Sequence, residues 1–584
     1  MTSRRAFLKQ LGLGALAVAA PAAARGAEKM PTRKPNVIMI LTDDQGWGDV
    51  HSHGNERLDT PWMDRLADQG ARFDRFYVNP LCAPTRAAVL TGRYHRRTGV
   101  SGVARRTETM RADEVTIAQA LKAGGYATAC FGKWHNGAYY PHHPRGKGFD
   151  ECLGFCCGHW NNYFDTLLEH NGEPVRPKGY INDVLTDAAL AFIEKHKGQP
   201  FFVYLPYNTP HSPFQVPDRY FSKYRQRGFD DRDACVYAMC ESLDDNLGRL
   251  LERLDALGLA NDTIVIFFGD NGPNGTRYNG GMRGAKGSVH EGGCRNAFFI
   301  RWPGHIAPGT EVKPIAAHID LLPTLVELTG VPMIETKPLD GVSLVPLLTG
   351  HADGWPERMI FVVQGNRGAV RTQQYRLVVE GRKPQLYDML ADPGEKKDIA
   401  TEQPEVTAKL KAAYDAWLKD ANRDGTAVPP IPVGHEQMKL VEMPTPDADW
   451  HGHLQFGGRH PNNNWATHWT STDDWLDWDI DVVHAGPYEF TLMYICPKED
   501  AGSRVCVEVA GRRLEGVVDK PHEPNFLPSP DRVKRQEVYE RDWAPLVLGR
   551  LDLPKGHTRL AVKALTKPGE AVMDLKAIRV CRLD

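Results

Sequence analysis

The sequence predicts an α/β fold: a mostly parallel central sheet sandwiched by helices, followed by a small C-terminal α+β subdomain and an appended all-β sandwich. In the first half of the chain, short apolar runs alternate with helical patterns, which is typical of parallel strands covered on both faces. Beyond about residue 441 the apolar period changes to two, which indicates half-buried strands. With 584 residues, the chain is also too long for one ordinary core.

Four continuous apolar runs predict the central strands of the sheet, at residues 36–41, 126–131, 201–205 and 263–268. Helical patterns lie between them at residues 62–70, 117–123, 184–195 and 234–257. Each apolar run is followed at once by polar or charged residues. In sheets of this kind, ligands bind beyond the carboxyl ends of the strands. We therefore expect the polar residues after the four strands to converge on one edge of the sheet.

Between the first two strands, a single cysteine lies beside the predicted start of a short helix. Pro84 suits the first turn of a helix and Gly92 can end one, so Cys82 is expected just ahead of a positive helix end. Arg86 lies about one turn further along, where its guanidinium can reach back over Cys82. The pattern predicts an anion site around this cysteine.

The string Cys82-Ala-Pro-Thr-Arg86, continued by Ala-Ala-Val-Leu-Thr-Gly-Arg93, resembles the signature of the type I, formylglycine-dependent sulfatases, which are arylsulfatase A-like members of the alkaline-phosphatase superfamily. The resemblance covers roughly residues 35–420. It implies that a formylglycine-generating or sulfatase-maturating enzyme oxidises Cys82 to formylglycine. One hydroxyl of the hydrated aldehyde then attacks sulfur, and deprotonation of the other expels sulfate.

Hard oxygen ligands follow two of the predicted strands. They are Asp43 and Asp44 after the first strand, and Asp270 and Asn271 after the fourth. Three carboxylates and an amide oxygen suit Ca²⁺ or Mg²⁺, whereas zinc favours histidine and cysteine. By the resemblance, these four residues and position 82 hold the metal, and calcium is favoured over magnesium.

The sulfate pocket needs fixed donors on several sides, because every sulfate oxygen carries charge. Lys133 and Lys286 can supply ammonium groups, and Arg86 a guanidinium. By the resemblance, His135 is the base that acts on the nucleophile. His211 would bind sulfate and protonate the leaving oxygen together with Lys286.

The sequence departs from the family pattern after residues 148–154. Some relatives have a serine or histidine there that touches the sulfate, whereas this chain has Cys156-Cys157-Gly158-His159. His159 is therefore a further candidate for substrate binding. 

The N-terminus is typical of a twin-arginine signal peptide, assigned to residues 1–27. Arg4-Arg5 precedes an apolar run at residues 11–24 that is too short to span a membrane. Small residues offer cleavage sites at Ala22 and Ala24, or at Ala27. We expect the twin-arginine translocase to export the folded protein to the periplasm or beyond, with no stable membrane span.

The composition argues against nucleic acid as a partner. The net charge is −2, so the chain has no overall positive charge that would attract a polyanion. Eleven cysteines, an odd number in so large a chain, do not indicate a disulfide framework.

The domain boundaries follow from these changes in pattern. A catalytic α/β domain is predicted at 34–330, a C-terminal subdomain at 331–425, a stiff Pro-rich linker at 426–440 and a β-sandwich at 441–584. The sandwich is similar to carbohydrate-binding jelly rolls. Its tryptophans suit either a core or stacking against sugars; they are Trp450, Trp465, Trp469, Trp475 and Trp478.

Taken together, the motifs predict an exported sulfatase that hydrolyses sulfate monoesters, most readily those of a sulfated carbohydrate. One alternative is a phosphonate or phosphate ester hydrolase of the same superfamily. A second is an inactive sulfatase-like protein that binds glycans, although the complete set of motif residues argues against it.

Overall fold

The computed structural model describes residues 33–352 and 355–584. The signal peptide predicted at residues 1–27 lies outside the described residues. In the described part of the chain, no helix is both long and apolar enough to cross a membrane.

A ten-stranded sheet confirms the predicted α/β class. In spatial order its strands are Thr310–Val312, Ala71–Phe73, Phe298–Arg301, Thr263–Gly269, Asn36–Thr42, Phe201–Pro206, Ala127–Lys133, Glu151–Phe155, Leu168–His170 and Glu173–Val175. The four predicted strands lie side by side at its centre and are parallel. Towards the two edges, parallel and antiparallel pairings are mixed.

Helices cover both faces of the sheet. Alternate residues of a strand point to opposite faces, and the central strands are buried throughout, so both faces need a covering layer. Ile38 and Ile40 belong to a core that includes the helices Ile181–His196 and Asp231–Ala256. Val37 and Met39 belong to a second core on the side of the helix Cys82–Thr91. The other α-helices of the described residues are Pro61–Asp68, Ile117–Ala123, Asp218–Gln226, Glu291–Cys294, Leu321–Thr329, Val345–Leu348 and Pro404–Ala421. The four predicted helices are thus confirmed.

Two smaller sheets adjoin the main one. The first is three-stranded and contains Arg295–Asn296, Phe76–Tyr77 and Ala316–Ala317. The second is antiparallel and contains Ile360–Gln364, Arg367–Arg371, Tyr375–Val379 and Gln385–Asp388. The helix Pro404–Ala421 buries Leu410, Tyr414 and Trp417 in the core of this second sheet. This is the predicted α+β subdomain.

Two further sheets form the C-terminal β-sandwich. One contains Ile431–Val433, Trp475–Val482, Gly556–Thr566, Ser503–Val509 and Arg512–Val518, with Asp449–His451 paired to the second of these. The other contains Gln455–Phe456, Ala466–Thr467, Asp574–Arg582, Gly486–Ile495 and Ala544–Leu553, with Leu440–Pro444 paired to the third. Trp465, Trp469 and Trp478 are buried, as a core requires, whereas Trp450 and Trp475 are partly exposed.

The Pro-rich segment at 426–440 differs from the prediction. Part of it, Ile431–Val433, is a strand that pairs in parallel with Trp475–Val482. Ile431 and Val433 are both buried in the sandwich core. Two apolar side chains and a row of backbone hydrogen bonds therefore fix this part of the predicted stiff linker to the sandwich.

The sandwich also packs against the α/β part of the chain. Tyr139, which follows the strand Ala127–Lys133, lies in the sandwich core, and its hydroxyl donates to Asp447 Oδ2 at 2.9 Å. Glu108 lies beside this contact. Burial raises the pKa of Glu108 to about 8, and the nearby carboxyl of Asp447 adds to the shift. The contact between the two parts therefore contains two carboxyl groups in a poorly solvated environment.

Replacing Glu108 with glutamine is expected to stabilise the protein at alkaline pH. The folded-state pKa of about 8 exceeds the ordinary value of 4.5, so the wild-type fold loses stability as pH rises from about 4.5 to about 8. The Glu108→Gln variant cannot ionise, so its advantage should be largest above about pH 8 and vanish below about pH 4.5. Thermal unfolding across this range tests it, with exposed Glu436→Gln as control. A difference that does not vary with pH would contradict the assignment.

Candidate active site

The polar residues that follow the four central strands do converge on one edge of the sheet. Asp43 and Asp44 follow Asn36–Thr42, and Asp270 follows Thr263–Gly269. Lys133 is the last residue of Ala127–Lys133. Lys133 forms an ion pair with Asp43, and the backbone N–H of Asp44 donates to Asp270 Oδ1, so the expectation from parallel strand ends is confirmed.

Cys82 is the first residue of its helix, rather than the residue before it. Pro84 still lies in the first turn, and Gly92, with φ of 66°, ends the helix in the left-handed conformation. Only 4% of Cys82 is exposed. Burial raises the pKa of its thiol, although Lys133 opposes the shift. An unmodified Cys82 therefore stays protonated near neutral pH and is a poor nucleophile.

Arg86 does not reach back over the cysteine as expected. Its side chain is fully buried and contacts Asp270 Oδ2 through Nε at 3.1 Å and Nη2 at 2.8 Å. Nη2 also lies 3.3 Å from Asp43 Oδ2, and Nη1 donates to the carbonyl oxygen of Lys133 at 2.8 Å. The guanidinium therefore fixes carboxylates beneath the cysteine.

The two lysines each contact one carboxylate. Lys133 Nζ lies 2.5 Å from Asp43 Oδ2, and Lys286 Nζ lies 2.6 Å from Asp44 Oδ1. Burial opposes ionisation of both aspartates, but Lys133 for Asp43 and Lys286 for Asp44 lower the pKa of each below its ordinary value. Both residues are thus held as carboxylates.

Three buried oxygens fit a hard metal cation. Asp43 Oδ1, Asp44 Oδ2 and Asn271 Oδ1 have no hydrogen-bond partner within residues 33–352 and 355–584. Asn271 is oriented for this role, because its Nδ2 donates to Asp44 Oδ1 at 2.9 Å and leaves Oδ1 free. One ligand atom from each of Asp43, Cys82 and Asp270 also lies within 4.8 Å of the others. The predicted ligand set therefore occupies one place with unsatisfied oxygens.

Asp270 gives a second reason to expect a cation. Burial, and then the negative charge of Asp43, raise the pKa of Asp270 to about 7 even though Arg86 opposes the shift. Asp43 and Asp270 therefore still repel each other, although Arg86, Lys133 and Lys286 pair with the carboxylates of the cluster. A bound divalent ion would reduce that repulsion.

His135 is a neutral imidazole with one unpaired ring nitrogen in the described chain. Its Nε2 lies 2.9 Å from the carbonyl oxygen of Val103, so Nε2 carries the proton and buried Nδ1 offers the lone pair. Burial, followed by the charge of Lys133, lowers the pKa of His135 well below 6.5. His135 and Asp44 both have left-handed backbones, with φ of 60° and 68°. Such conformations are uncommon outside glycine and are typical of functional sites.

His211 lies beside Asp44 in the lining of the cavity that also contains His135. Its Nδ1 lies 2.7 Å from the carbonyl oxygen of Ser212, and its Nε2 lies 3.8 Å from Asp44 Oδ2. Burial and the charge of Lys286 lower the pKa of His211. The imidazole is therefore close to Lys286 and Asp44, with Nε2 turned towards them.

A cavity of about 360 Å³ opens above Cys82. It is lined by residues from widely separated parts of the chain: Leu81, Cys82, Val103, Ala104, His135, Gly158, His159, His211, Ser212, Asn274, Lys286, His460, Pro461, Asn462 and Glu537. His159 is buried within it, its ring centroid is 5.6 Å from that of His211, and neither ring nitrogen has a partner in the described chain. His159 thus lines the same cavity as Cys82 and His211.

The lining also contains residues that sequence reasoning missed. His460, Asn462 and Glu537 come from loops of the β-sandwich and reach the cavity only through folding. A polar run at residues 460–464, between two short strands, was the one available signal. Nothing in the sequence around Glu537 distinguishes it from a solvated loop residue.

Replacing Gly158 with alanine is expected to lower kcat about tenfold by disturbing His135. A Cβ atom at this position would lie 2.5 Å from His135 Nε2 and 2.7 Å from Asn462 Nδ2, so the imidazole must shift from its bond with Val103. The matched control is Gly198→Ala, whose Cβ would meet nothing within 4 Å. Steady-state kinetics of both variants test this; equal kcat values would mean that the imidazole position is not critical.

Together, the parallel sheet, the cysteine at a helix start and the carboxylate cluster define a hydrolase of the alkaline-phosphatase superfamily. Residues 35–331 match the family model described as Sulfatase. Residues 285–420 match the model described as N-sulphoglucosamine sulphohydrolase, C-terminal. The chain belongs to the sulfatase family, whose members hydrolyse sulfuric esters.

Individual relatives agree with this assignment. The chain is 32% identical to arylsulfatase A of Bos taurus over 488 residues, which covers 70% of this chain and 92% of that protein. It is 32% identical to N-acetylgalactosamine-6-sulfatase of Mus musculus over 403 residues, covering 62% and 73%. A solved structure of Ps i-CgsB in complex with k-i-k-neocarrahexaose superposes with a TM-score of 0.64 at 31% identity, covering 67% of this chain and 94% of that one.

Proposed function

We propose that this chain is an exported sulfatase that hydrolyses sulfate monoesters of a carbohydrate, with formylglycine at position 82 and a divalent cation in the carboxylate cluster. The observation that carries the proposal is the placement of Cys82. It lines a cavity together with Lys286, His135, His211 and His159. Lys133 lies in the adjoining carboxylate cluster, where it pairs with Asp43. A protonated, buried thiol has little reactivity of its own, which supports conversion of Cys82.

The modified residue would supply the hydroxyl of a hydrated aldehyde as nucleophile. Asp43, Asp44, Asp270 and Asn271 would hold the cation, which would neutralise charge on a sulfate oxygen. Carboxylate and amide oxygens suit either Ca²⁺ or Mg²⁺, and calcium is favoured by the resemblance to the sulfatase family. Arg86, buried under this cluster, keeps two of the carboxylates in place.

The remaining residues divide the proton transfers and the binding of the anion. His135 presents the lone pair of Nδ1 and would accept a proton from the hydroxyl at position 82. Lys286 would donate a proton or a hydrogen bond to the leaving oxygen, with His211 beside it. Lys133 and His159 would bind sulfate oxygens from two other directions.

A carbohydrate substrate is supported by the relatives. One of them is named for action on N-acetylgalactosamine 6-sulfate groups, and Ps i-CgsB was solved with k-i-k-neocarrahexaose. Export is supported by Arg4-Arg5 and the apolar run that follows. The glycan, the maturating enzyme and the twin-arginine translocase are the expected partners.

The experiment is a release assay on the purified protein after coexpression with a formylglycine-generating enzyme. Mass spectrometry of the peptide containing residue 82 establishes the modification. Free sulfate is then measured with sulfated mono-, oligo- and polysaccharides, and free phosphate with matching phosphate esters. Sulfate release is expected. Phosphate release alone would favour the phosphoesterase alternative, and glycan binding without any release would favour the inactive alternative.

Removal of divalent cations is expected to lower sulfate release at least about a hundredfold, because the carboxylate cluster then carries uncompensated charge. The melting temperature should fall as well, since an ion that binds only the folded state stabilises it. Dialysis against a chelator, followed by Ca²⁺ or Mg²⁺, measures both. Calcium should restore activity more fully than magnesium; full activity in the chelated protein would exclude a role for the ion.

A further inference from the structure

One wall of the cavity above Cys82 is made by the β-sandwich. Asn462 Nδ2 donates to the carbonyl oxygen of Val103 at 3.1 Å. The same carbonyl oxygen lies 2.9 Å from His135 Nε2. A sandwich side chain therefore shares a hydrogen-bond acceptor with the proposed base, so the sandwich is directly connected to the site.

A second loop of the sandwich, at residues 529–540, is fixed against the loop that carries His211. Gln215 Nε2 donates to Ser529 Oγ at 2.8 Å and to Asp531 Oδ1 at 2.7 Å. Asn161 Nδ2 donates to Glu540 Oε2 at 3.0 Å. Several long-range hydrogen bonds therefore hold this loop in one position, where it forms part of the cavity wall.

Glu537 is the charged residue that this loop contributes to the cavity. Ser212, next to His211, donates from Oγ to Glu537 Oε1 at 3.0 Å. Burial opposes ionisation of Glu537, but its own backbone N–H, Ser212 and His211 lower its pKa below the ordinary value. Glu537 is therefore a carboxylate that can accept hydrogen bonds but cannot donate them.

The cavity is thus polarised. Lys286 lies on the side near Cys82, where the sulfate is expected, and the carboxylate of Glu537 lies in the sandwich wall. At about 360 Å³ the cavity is near the lower end of ligand pockets, about 300–1,000 Å³. A sugar ring with its sulfate over Cys82 would share this cavity with Glu537.

We propose that Glu537 is a specificity-determining residue, which accepts a hydrogen bond from a hydroxyl next to the scissile sulfate and excludes a second sulfate at that position. The inference rests on the proposed sulfatase function and deepens it. The carboxylate of Glu537 is partly exposed and already accepts hydrogen bonds from Ser212 Oγ and the backbone N–H of Gln536, and it can accept another from a sugar hydroxyl. A sulfate in the same place would put two anions in contact. The sandwich is in this respect a part of the active site.

The test compares wild type with Glu537→Gln, using formylglycine-containing enzyme. The probes are a panel of monosulfated pyranosides, their vicinally disulfated counterparts, and p-nitrophenyl sulfate, which has no sugar. Wild type should prefer the best monosulfated sugar over its disulfated counterpart by about a hundredfold in kcat/KM. In the variant, kcat/KM for the monosulfated sugar should fall about tenfold, and most of the preference should disappear.

Two further variants separate charge from structure. Glu537→Asp keeps the charge and should retain exclusion of the disulfated sugars, with weaker turnover of the monosulfated one. Exposed Glu523→Gln, from the same region of the sandwich, should behave as wild type. For Glu537→Gln, kcat/KM for p-nitrophenyl sulfate should fall less than kcat/KM for the monosulfated sugar, because p-nitrophenyl sulfate has no sugar hydroxyl.

Three outcomes would overturn the inference. The Glu537→Gln variant could keep the full preference, or wild type could prefer the disulfated sugars. Wild type could also hydrolyse p-nitrophenyl sulfate and none of the sugars. If wild type with confirmed formylglycine releases no sulfate even from p-nitrophenyl sulfate, the proposed function itself fails, and this result is distinct from the other three.

Discussion

Replacing Cys82 with alanine is expected to abolish sulfate release from every ester that the wild-type protein hydrolyses, a loss of at least about 10⁴-fold in kcat. Cys82 begins its helix and lines the cavity. Among the described residues that line the cavity, Ser212 is the only other side chain with a hydroxyl or thiol group. Ser212 Oγ is already bound to Glu537. No second nucleophile is therefore placed to replace position 82.

The measurement is sulfate release over a long incubation, with thermal unfolding to establish that the variant is folded. Cys581→Ala is the matched control, because Cys581 is a free, partly exposed cysteine of the sandwich and should have no effect. Residual activity of the Cys82→Ala variant above a few per cent would mean that the nucleophile lies elsewhere. Mass spectrometry of position 82 in the Cys581→Ala protein shows whether maturation was normal.

Asp270→Asn is expected to have the second largest effect, lowering kcat/KM about 10³-fold and stability by about 3 kcal/mol. The change preserves shape but removes the charge that faces Arg86 Nε and Nη2 at 3.1 and 2.8 Å. Arg86 is completely buried, so its positive charge would be left with Asp43 alone. The proposed cation would lose a carboxylate ligand at the same time.

Kinetics, denaturant unfolding and cation titration of the Asp270→Asn variant test the two roles separately. Exposed Asp262→Asn, at the start of the same strand region, is the control and should match wild type in all three. A variant with normal stability but low activity would limit Asp270 to binding the cation. Normal activity would contradict both roles.

The sequence predicted the central sheet well because its signals are local. Buried parallel strands need continuous apolar runs, and the rule that strand ends converge placed Asp43, Lys133, His211 and Asp270 together before any coordinates were available. The Cys82 helix could be read in the same way from its proline and glycine.

Features that depend on long-range packing were not predictable. The direction of the Arg86 side chain is set by two carboxylates more than forty positions away, and helix spacing alone suggested Cys82 as its contact. Glu537 reaches the cavity because a sandwich loop is fixed to Gln215 and Asn161. Proline content predicted a linker at 426–440, but pairing with Trp475–Val482 made part of it a strand.

The burial of the helix Cys82–Thr91 has a consequence for biosynthesis. All ten residues of this helix are buried, so a modifying enzyme cannot bind the peptide around Cys82 once the core has formed. The proposed oxidation of Cys82 would then have to precede folding, while the nascent chain is still extended. A chain that folds first would be trapped with an inert thiol. If export takes the folded protein, as a twin-arginine signal implies, the order is oxidation, folding and transport, and activity is decided in the cytoplasm before the enzyme reaches its substrate.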